Sequence, residues 1–194
     1  HLQHGDEKQP ERNMEVFTNC STASASFLLF YLLLNGCFRA GTLVKMASGA
    51  YKPIEEIQAG DVVVSYDEET GEFVNQEVTH LNVNQPKPMV RVTLENDTTI
   101  ECTYDHKFLT EDGSWVEAQY LEGVSLYTGK VKNVEFIQSN DTAVYDLTVA
   151  NTHNYLVSHN DVVVHNSGVG RCYDDDMMLV NWDNAPNIRC VLDT

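Results

Sequence analysis

Two places in the chain carry residues able to break their own backbone. The first is Cys37, in GCFRAGT, with Gly36 immediately before it. A thiolate is a strong nucleophile, and the carbonyl of unbranched glycine is sterically open to attack from the next residue's sulfur. Such an attack replaces the Gly36–Cys37 peptide bond with a thioester. The second is VVVHNS, which sets Asn166 between His165 and Ser167. The carboxamide nitrogen of an asparagine can attack its own backbone carbonyl, close a five-membered succinimide and cut the chain after itself. His165 can polarise that carbonyl or protonate the leaving amine, which is ordinary acid–base work for an imidazole. The hydroxyl of Ser167 is a further nucleophile, able to take an acyl group.

These groups are distant in sequence, so a scaffold must bring them together for any step to be intramolecular. From Cys37 onward the chain runs in short apolar-alternating stretches broken by turn residues, the pattern of an all-β fold. Strands are expected over 42–46, 61–66, 72–83, 89–94, 98–103, 114–117, 131–138, 143–149, 155–157 and 162–165. Ser48-Gly49, Ala59-Gly60-Asp61, Thr70-Gly71, Asn96-Asp97 and Asp112-Gly113 supply the turns between them. One helical turn is expected from Ile54 to Ile57, where Pro53 presets the backbone and Glu55 and Glu56 suit a helix N-terminus. Helical periodicity is otherwise nearly absent, and residue identities give no clear internal repeat.

CFRAGT, TYDHKF, VYDLTV, THNYLV and VVVHNS stand in the order and spacing of intein splicing blocks. Over residues 37–166 the sequence resembles the Hint superfamily, in its intein and bacterial-intein-like branch, at the size of a minimal intein without a homing endonuclease. Any one block is a weak signal; five in register are specific. The resemblance implies a flattened, horseshoe-shaped β fold with pseudo-two-fold symmetry that brings both chain ends to its centre. It implies that Thr103 and His106, the TxxH pair, contact the scissile amide after Gly36. There His106 would protonate the departing nitrogen while Thr103 holds the peptide. It assigns Asp146 to ferrying a proton between Cys37 and the second nucleophile, and His153 to assisting Asn166, two roles that vary among relatives.

The implied reaction is autocatalytic and single-turnover, needs no cofactor, and takes the chain's own flanks as substrate. An N–S acyl shift at Cys37 is followed by transesterification to Ser167, cyclisation of Asn166, excision of 37–166 and ligation of 1–36 to 167–194. The terminal His165-Asn166 pair separates the chain from the hedgehog-type branch, which hands its thioester to a sterol. Two other readings stand beside splicing. Autocleavage at one or both ends without efficient ligation is favoured by Ser167, since a hydroxyl attacks a thioester less readily than a thiol does. An inert β domain that only binds is the blander alternative.

A formal net charge of −17, from 29 acidic and 12 basic residues without a basic run, argues against nucleic-acid binding and against an endonuclease insert. Hydrophobic residues at 42% and charged residues at 21% fit a globular domain, expected to be a monomer. The flanks, with a polar start and an acidic tail containing Asp174, Asp175 and Asp176, read as pieces of a host polypeptide, the acidic run being a solvated face. The apolar run Phe27 to Leu34 is too short to span a bilayer; it fits either a signal-peptide core or a buried element of the host, so cytoplasmic and secreted locations both stand.

Five cysteines without a CxxC pair make no disulfide scaffold; Cys172 and Cys190 could pair in an oxidising compartment or stay reduced. No metal motif fits the spacing, yet Cys37, His106 and His165 gathered in one pocket could bind an inhibitory zinc. Cys102 alternates away from Thr103 and is expected to pack, and His80 and His159 to be ordinary surface or strand histidines. The sequons at Asn19, Asn96 and Asn140 matter only if the chain is secreted.

Overall fold

The computed structural model describes residues 36–138 and 142–166, together with the backbone of two short strands in the tail. The chain opens with β1 (Phe38–Arg39), β2 (Leu43–Lys45) and β3 (Tyr51–Pro53), turns through a 3₁₀ segment at Ile54–Glu56, and enters β4 (Val62–Asp67) and the long β5 (Glu72–Asn84). There follow β6 (Met89–Leu94), β7 (Thr99–Thr103), β8 (Lys107–Leu109) and β9 (Trp115–Glu117). A second 3₁₀ segment at Ala118–Tyr120 leads to β10 (Ser125–Leu126) and β11 (Gly129–Ile137). Then β12 (Val144–Val149), β13 (Asn154–Val157) and β14 (Val162–His165) carry the chain to Asn166. In the tail, β15 (Gly170–Tyr173) pairs with β16 (Arg189–Leu192), and their register sets Cys172 opposite Cys190.

Two antiparallel sheets hold β1 to β14, in the orders β10-β11-β6-β7-β1-β12-β5-β4 and β3-β2-β13-β14-β8-β9, and β15-β16 is a separate two-stranded sheet. The all-β expectation holds, and each of the ten expected strands forms, with β6 and β14 matching to the residue. The sequence reading passed over β1, β3, β8 and β10, which are two or three residues long, too short to show an alternation. Neighbouring strands, not propensity, make them strands. The helical turn behind Pro53 is a single 3₁₀ turn in which only Ile54 is buried.

An internal two-fold, invisible in residue identities, matches the pseudo-two-fold symmetry that the resemblance implies. The unit β2-β3-3₁₀-β4 recurs as β8-β9-3₁₀-β10, and its backbone bonds recur position by position. Gly49 N–H to Met46 matches Gly113 N–H to Thr110, Ile57 N–H to Ile54 matches Leu121 N–H to Ala118, and Ile54 N–H to Thr42 matches Ala118 N–H to His106. The bridge Met46↔Val63 has its counterpart in Thr110↔Leu126. What the two halves share is turn geometry, with Gly49 and Gly113 both at positive φ, and buried apolar positions such as Ile54 and Ala118. Size and shape at other positions have diverged.

One continuous core lies between the sheets, including Phe38, Val44, Ile54, Phe108, Leu147 and Tyr155. Cys102 belongs to it, as its alternation implied. His80 is exposed, and exposed His159 lies against the ring of Tyr51, with centroids 4.5 Å apart. On the opposite face of the larger sheet, Glu135, Arg91, Glu101 and Arg39 form an alternating-charge ladder across β11, β6, β7 and β1. No helix among the described residues is long and apolar enough to cross a membrane. The run 27–34, Cys20 and the acidic triplet 174–176 lie outside the described residues.

Candidate active site

Strand β1 runs near the middle of the larger sheet, paired with β7 on one side and β12 on the other. Phe38 faces Tyr145 and Cys102 in that register, so Cys37, one residue earlier, falls between Thr103 and Asp146. Directly opposed residues in antiparallel strands share a face. Met89, Thr103, Cys37, Asp146 and Asn82 therefore form one row across five strands, and the next row, with Phe38, points into the core. A buried row holding a hydroxyl, a thiol, a carboxylate and an amide is costly in a sheet centre unless its groups are paired.

They are paired. The Cys37 N–H donates to Thr103 Oγ1 at 2.9 Å, and the Thr103 N–H donates to the Cys37 carbonyl at 2.8 Å. Asn84 Nδ2 donates to Cys37 Sγ at 3.2 Å. The Tyr155 hydroxyl, reaching across from β13, donates to Asp146 Oδ1 at 2.6 Å in a fully buried contact. Burial, then the neighbouring Asp146 charge, push the Cys37 thiol up to about 12, with Lys87 and the Asn84 bond pulling the other way. The resting sulfur is a thiol. Burial, then the Asp146 charge, also raise Tyr155 well above the ordinary phenol range.

His106 sits in the turn after β7, where its N–H bonds back to the Thr103 carbonyl at 3.1 Å. Its ring is buried against Phe38, centroids 4.2 Å apart. Gly36 packs so closely on it that an added Cβ would lie 2.5 Å from Nδ1 and 2.8 Å from the His106 Cα. Burial, then the neighbouring His165 charge, take His106 down to about 3, against the opposing pull of the Gly36 and His165 backbone groups. It is a neutral imidazole between the two ends of the domain.

At the far end, His165 closes β14, and its Nδ1 is hydrogen-bonded to the carbonyl oxygen of Asn166. A carbonyl only accepts, so Nδ1 carries the proton there and points it at the carbonyl that a succinimide closure of Asn166 would attack. Burial lowers the proton affinity of His165. The Trp115 ring meets it edge-on at 5.0 Å. Asn166 is buried, and its N–H donates to the His153 carbonyl at 2.9 Å.

His153 thus touches Asn166 through its backbone, in a left-handed conformation at φ 55°, while its side chain is exposed. Asn154 fixes that loop from behind. Its carboxamide accepts from Ser65 Oγ at 2.6 Å and from the Tyr66 N–H at 2.7 Å, and donates to the carbonyls of Tyr66 and Thr152.

The structure thus gathers Cys37, Thr103, Asp146 and His106 at Gly36, and His165 and Asn166 beside them through His106. Ser167 lies outside the described residues. The inhibitory zinc expected at Cys37, His106 and His165 is not matched, since among the described residues no three His, Cys, Asp or Glu are grouped to hold a metal. The physical reason is that the His106 ring is closed in under Gly36 and Phe38, while the Cys37 side chain packs with Met89 and Val144.

Sequence reasoning missed Asn84, Tyr155 and Asn154. The polar pair Asn82 and Asn84, at alternate positions of a long strand, was a readable sign of a polar face. Tyr155 and Asn154 had a fainter one, as polar groups inside an apolar run, which must find partners when buried.

Known proteins are built on the same scaffold. A bacterial intein-like domain from Clostridium thermocellum is 32% identical, with a TM-score of 0.62 over 67% of this chain and 98% of its own. The gp41-1 intein is 27% identical, with a TM-score of 0.54 over 68% of this chain and 98% of its own. A DnaB intein from Synechocystis sp. PCC 6803, 23% identical with a TM-score of 0.60 over 68% and 99%, shares the fold. Among curated proteins, DNA-directed RNA polymerase III subunit rpc2 of Dictyostelium discoideum is 29% identical over 89 residues, 44% of this chain but 6% of that protein. A DNA gyrase subunit of Synechocystis sp. is 30% identical over 90 residues, 41% of this chain and 8% of its own length, so this chain spans under a tenth of either. The pattern of the pretoxin HINT domain matches residues 43–167. With a buried thiol, a TxxH turn and a terminal His-Asn held on an intein-like β scaffold, the chain belongs to the pretoxin HINT domain family of Hint, intein-like self-processing domains.

Proposed function

We propose that residues 37–166 excise themselves by protein splicing, with residues 1–36 and 167–194 as the flanks that are joined. In the first step the Cys37 sulfur forms a bond to the Gly36 carbonyl carbon, the Gly36–Cys37 C–N bond breaks, and the thiol proton ends on the freed Cys37 nitrogen. Asp146 is the base beside the thiol. Thr103, already bonded to the scissile N–H, holds that nitrogen, and neutral His106 moves the proton to it. The acyl group then passes to the Ser167 oxygen, and Asn166 Nδ2 attacks its own carbonyl, polarised by His165, releasing Ser167 with a free amine. An O–N shift completes the new peptide bond. No step requires a cofactor, and each molecule reacts once.

The observation that carries this reading is the packing of Gly36 directly on the buried His106 ring, with His165 close enough to act on the same imidazole. The decisive experiment places the chain between two stable reporter proteins and weighs the products. Splicing predicts a joined-reporter species and a free 37–166 fragment, and dithiothreitol or hydroxylamine should release a fragment ending at Gly36. No such fragment would defeat the thioester step. Ser167→Cys should raise the joined fraction and Ser167→Ala abolish it while cleavage persists, because ligation needs a side-chain nucleophile after Asn166.

A second reading, cleavage without ligation, is favoured by the hydroxyl nucleophile at Ser167 and by the family's description as a pretoxin domain. On that reading the useful product is the polypeptide released downstream of Asn166. The same experiment separates the two, since cleavage alone gives separate reporters and no joined species.

A further inference from the structure

Asn84 is the last residue of β5, paired across to Val144 on β12, two register steps from the Asp146–Asn82 pair and so on the same face. From there its carboxamide reaches the Cys37 sulfur at 3.2 Å, in the same row that holds Thr103 and Asp146. The surroundings make that contact consequential. Cys37 is fully buried, and the charged groups acting on it are Asp146 from β12, Asp105 from the turn after β7 and Lys87 from the segment between β5 and β6. Tyr155 from β13 reaches the same place through Asp146, and His106 sits behind Gly36. Two of the three charges oppose a thiolate. A neutral N–H aimed at sulfur favours the anion without drawing in another charge, and a donor to a charged acceptor is worth more than one to a neutral acceptor.

We propose that Asn84 is a catalytic residue of the first step, its carboxamide N–H holding the Cys37 sulfur as it becomes a thiolate and attacks the Gly36 carbonyl. The role rests on the thioester reading above. In the balance of the step, the sulfur gives its proton to Asp146, and sulfur bonds to the Gly36 carbon as the C–N bond breaks. The Cys37 nitrogen then takes up the proton, relayed through the site. Asn84 exchanges no proton. It is bonded to sulfur throughout, most strongly while the sulfur is anionic, so it lowers the barrier more than it stabilises the thiol or the thioester.

The test uses the full chain carrying Asn166→Ala, so that the tail stays attached, and follows dithiothreitol-induced release of the fragment ending at Gly36 by mass spectrometry. Asn84→Ala and Asn84→Asp should each slow release by about 10- to 100-fold, the effect of losing a hydrogen bond to a charged acceptor. Asn84→Asp keeps the shape and loses the donor, so a rate within about threefold of the parent would overturn the proposal, that being too small for such a bond. The same result would follow if the carboxamide oxygen merely accepted the thiol proton. In a Cys37→Ala background, Asn84→Ala should leave cleavage after Asn166 unchanged; a fall in both reactions would make Asn84 a fold residue and overturn the assignment. If the protein with Asn84 intact releases nothing on thiol addition, the thioester reading itself fails, and this role with it.

Discussion

Cys37 and Thr103 hold each other twice, backbone N–H to Oγ1 at 2.9 Å in one direction and N–H to carbonyl at 2.8 Å in the other. The first of these bonds engages the nitrogen of the peptide proposed to break, so it has both a stability role and a chemical one.

Thr103→Val keeps the volume and removes the acceptor, leaving the Cys37 N–H buried and unsatisfied. A loss of about 1–3 kcal/mol is expected, read from urea denaturation, together with slower thiol-induced release at Gly36. Thr103→Ser restores the acceptor and should recover most of both. Equal rates for the Val and Ser variants would remove Thr103 from the chemistry.

Gly36→Ala adds a methyl where His106 Nδ1 would be 2.5 Å and His106 Cα 2.8 Å away, and the second neighbour is backbone that cannot swing aside. Overpacking of this kind costs about 1–3 kcal/mol, so Tm should fall and release at the first junction should slow. Gly36→Val should be worse on both measures. An unchanged Tm in the Ala variant would show that the Gly36–His106 contact is not as tight as the geometry states.

His106→Ala and Asn166→Ala form a crossed pair. Loss of a positioned acid–base group costs about 10²- to 10⁴-fold, so His106→Ala should slow release at Gly36 by that order. Asn166→Ala should block release of the tail and spare thiol-induced release at Gly36. A His106→Ala rate within about threefold of the parent would be far below the contribution of such a group and would reject its role. Unchanged circular dichroism in both variants is the necessary control.

The neutral burial of His106 also sets a pH dependence of stability. Its proton affinity in the fold, about 3, is below the ordinary 6.5. Between those values the unfolded chain binds a proton that the folded one refuses. Stability is therefore fully present above pH 6.5 and falls as pH drops through the window, on the order of 3 kcal/mol by pH 4. His165 acts in the same direction. His106→Gln, which cannot titrate, should flatten the curve between pH 6.5 and 4 in denaturation experiments; an identical slope in parent and variant would contradict the buried neutral ring.

Much of this was legible because the chemistry is local at each end. Cys37 after Gly36 and Asn166 after His165 are adjacent pairs, and a reader of the chain sees them directly. The strands were legible where alternation ran for four residues or more, as in β6, or where a short apolar run was bounded by turn residues, as in β14. What escaped was non-local. Asn84 reaches its sulfur from a different strand, Tyr155 finds Asp146 across the two sheets, and β1 is a strand only because β7 and β12 flank it. The internal two-fold came only through the resemblance and not from residue identities, because backbone hydrogen bonds and turn conformations preserve it while side chains have diverged. For His153 the sequence pointed to an imidazole, whereas the structure offers Asn166 the carbonyl.

The approach of both Gly36 and His165 to one imidazole ring has a consequence for any polypeptide that hosts this domain. Linking two points of a chain through a long flexible insert carries a loop-closure penalty that grows with insert length. Here the insert's own fold meets that penalty, because both of its ends come to the same side chain, His106. On that reading the two flanks would start side by side while the domain is still in place, as though joined by a tight turn. Under the splicing proposed above, excision would then remove a loop from flanks already held side by side, and flanks that associate in this way would stay together even in molecules where the final bond is never made.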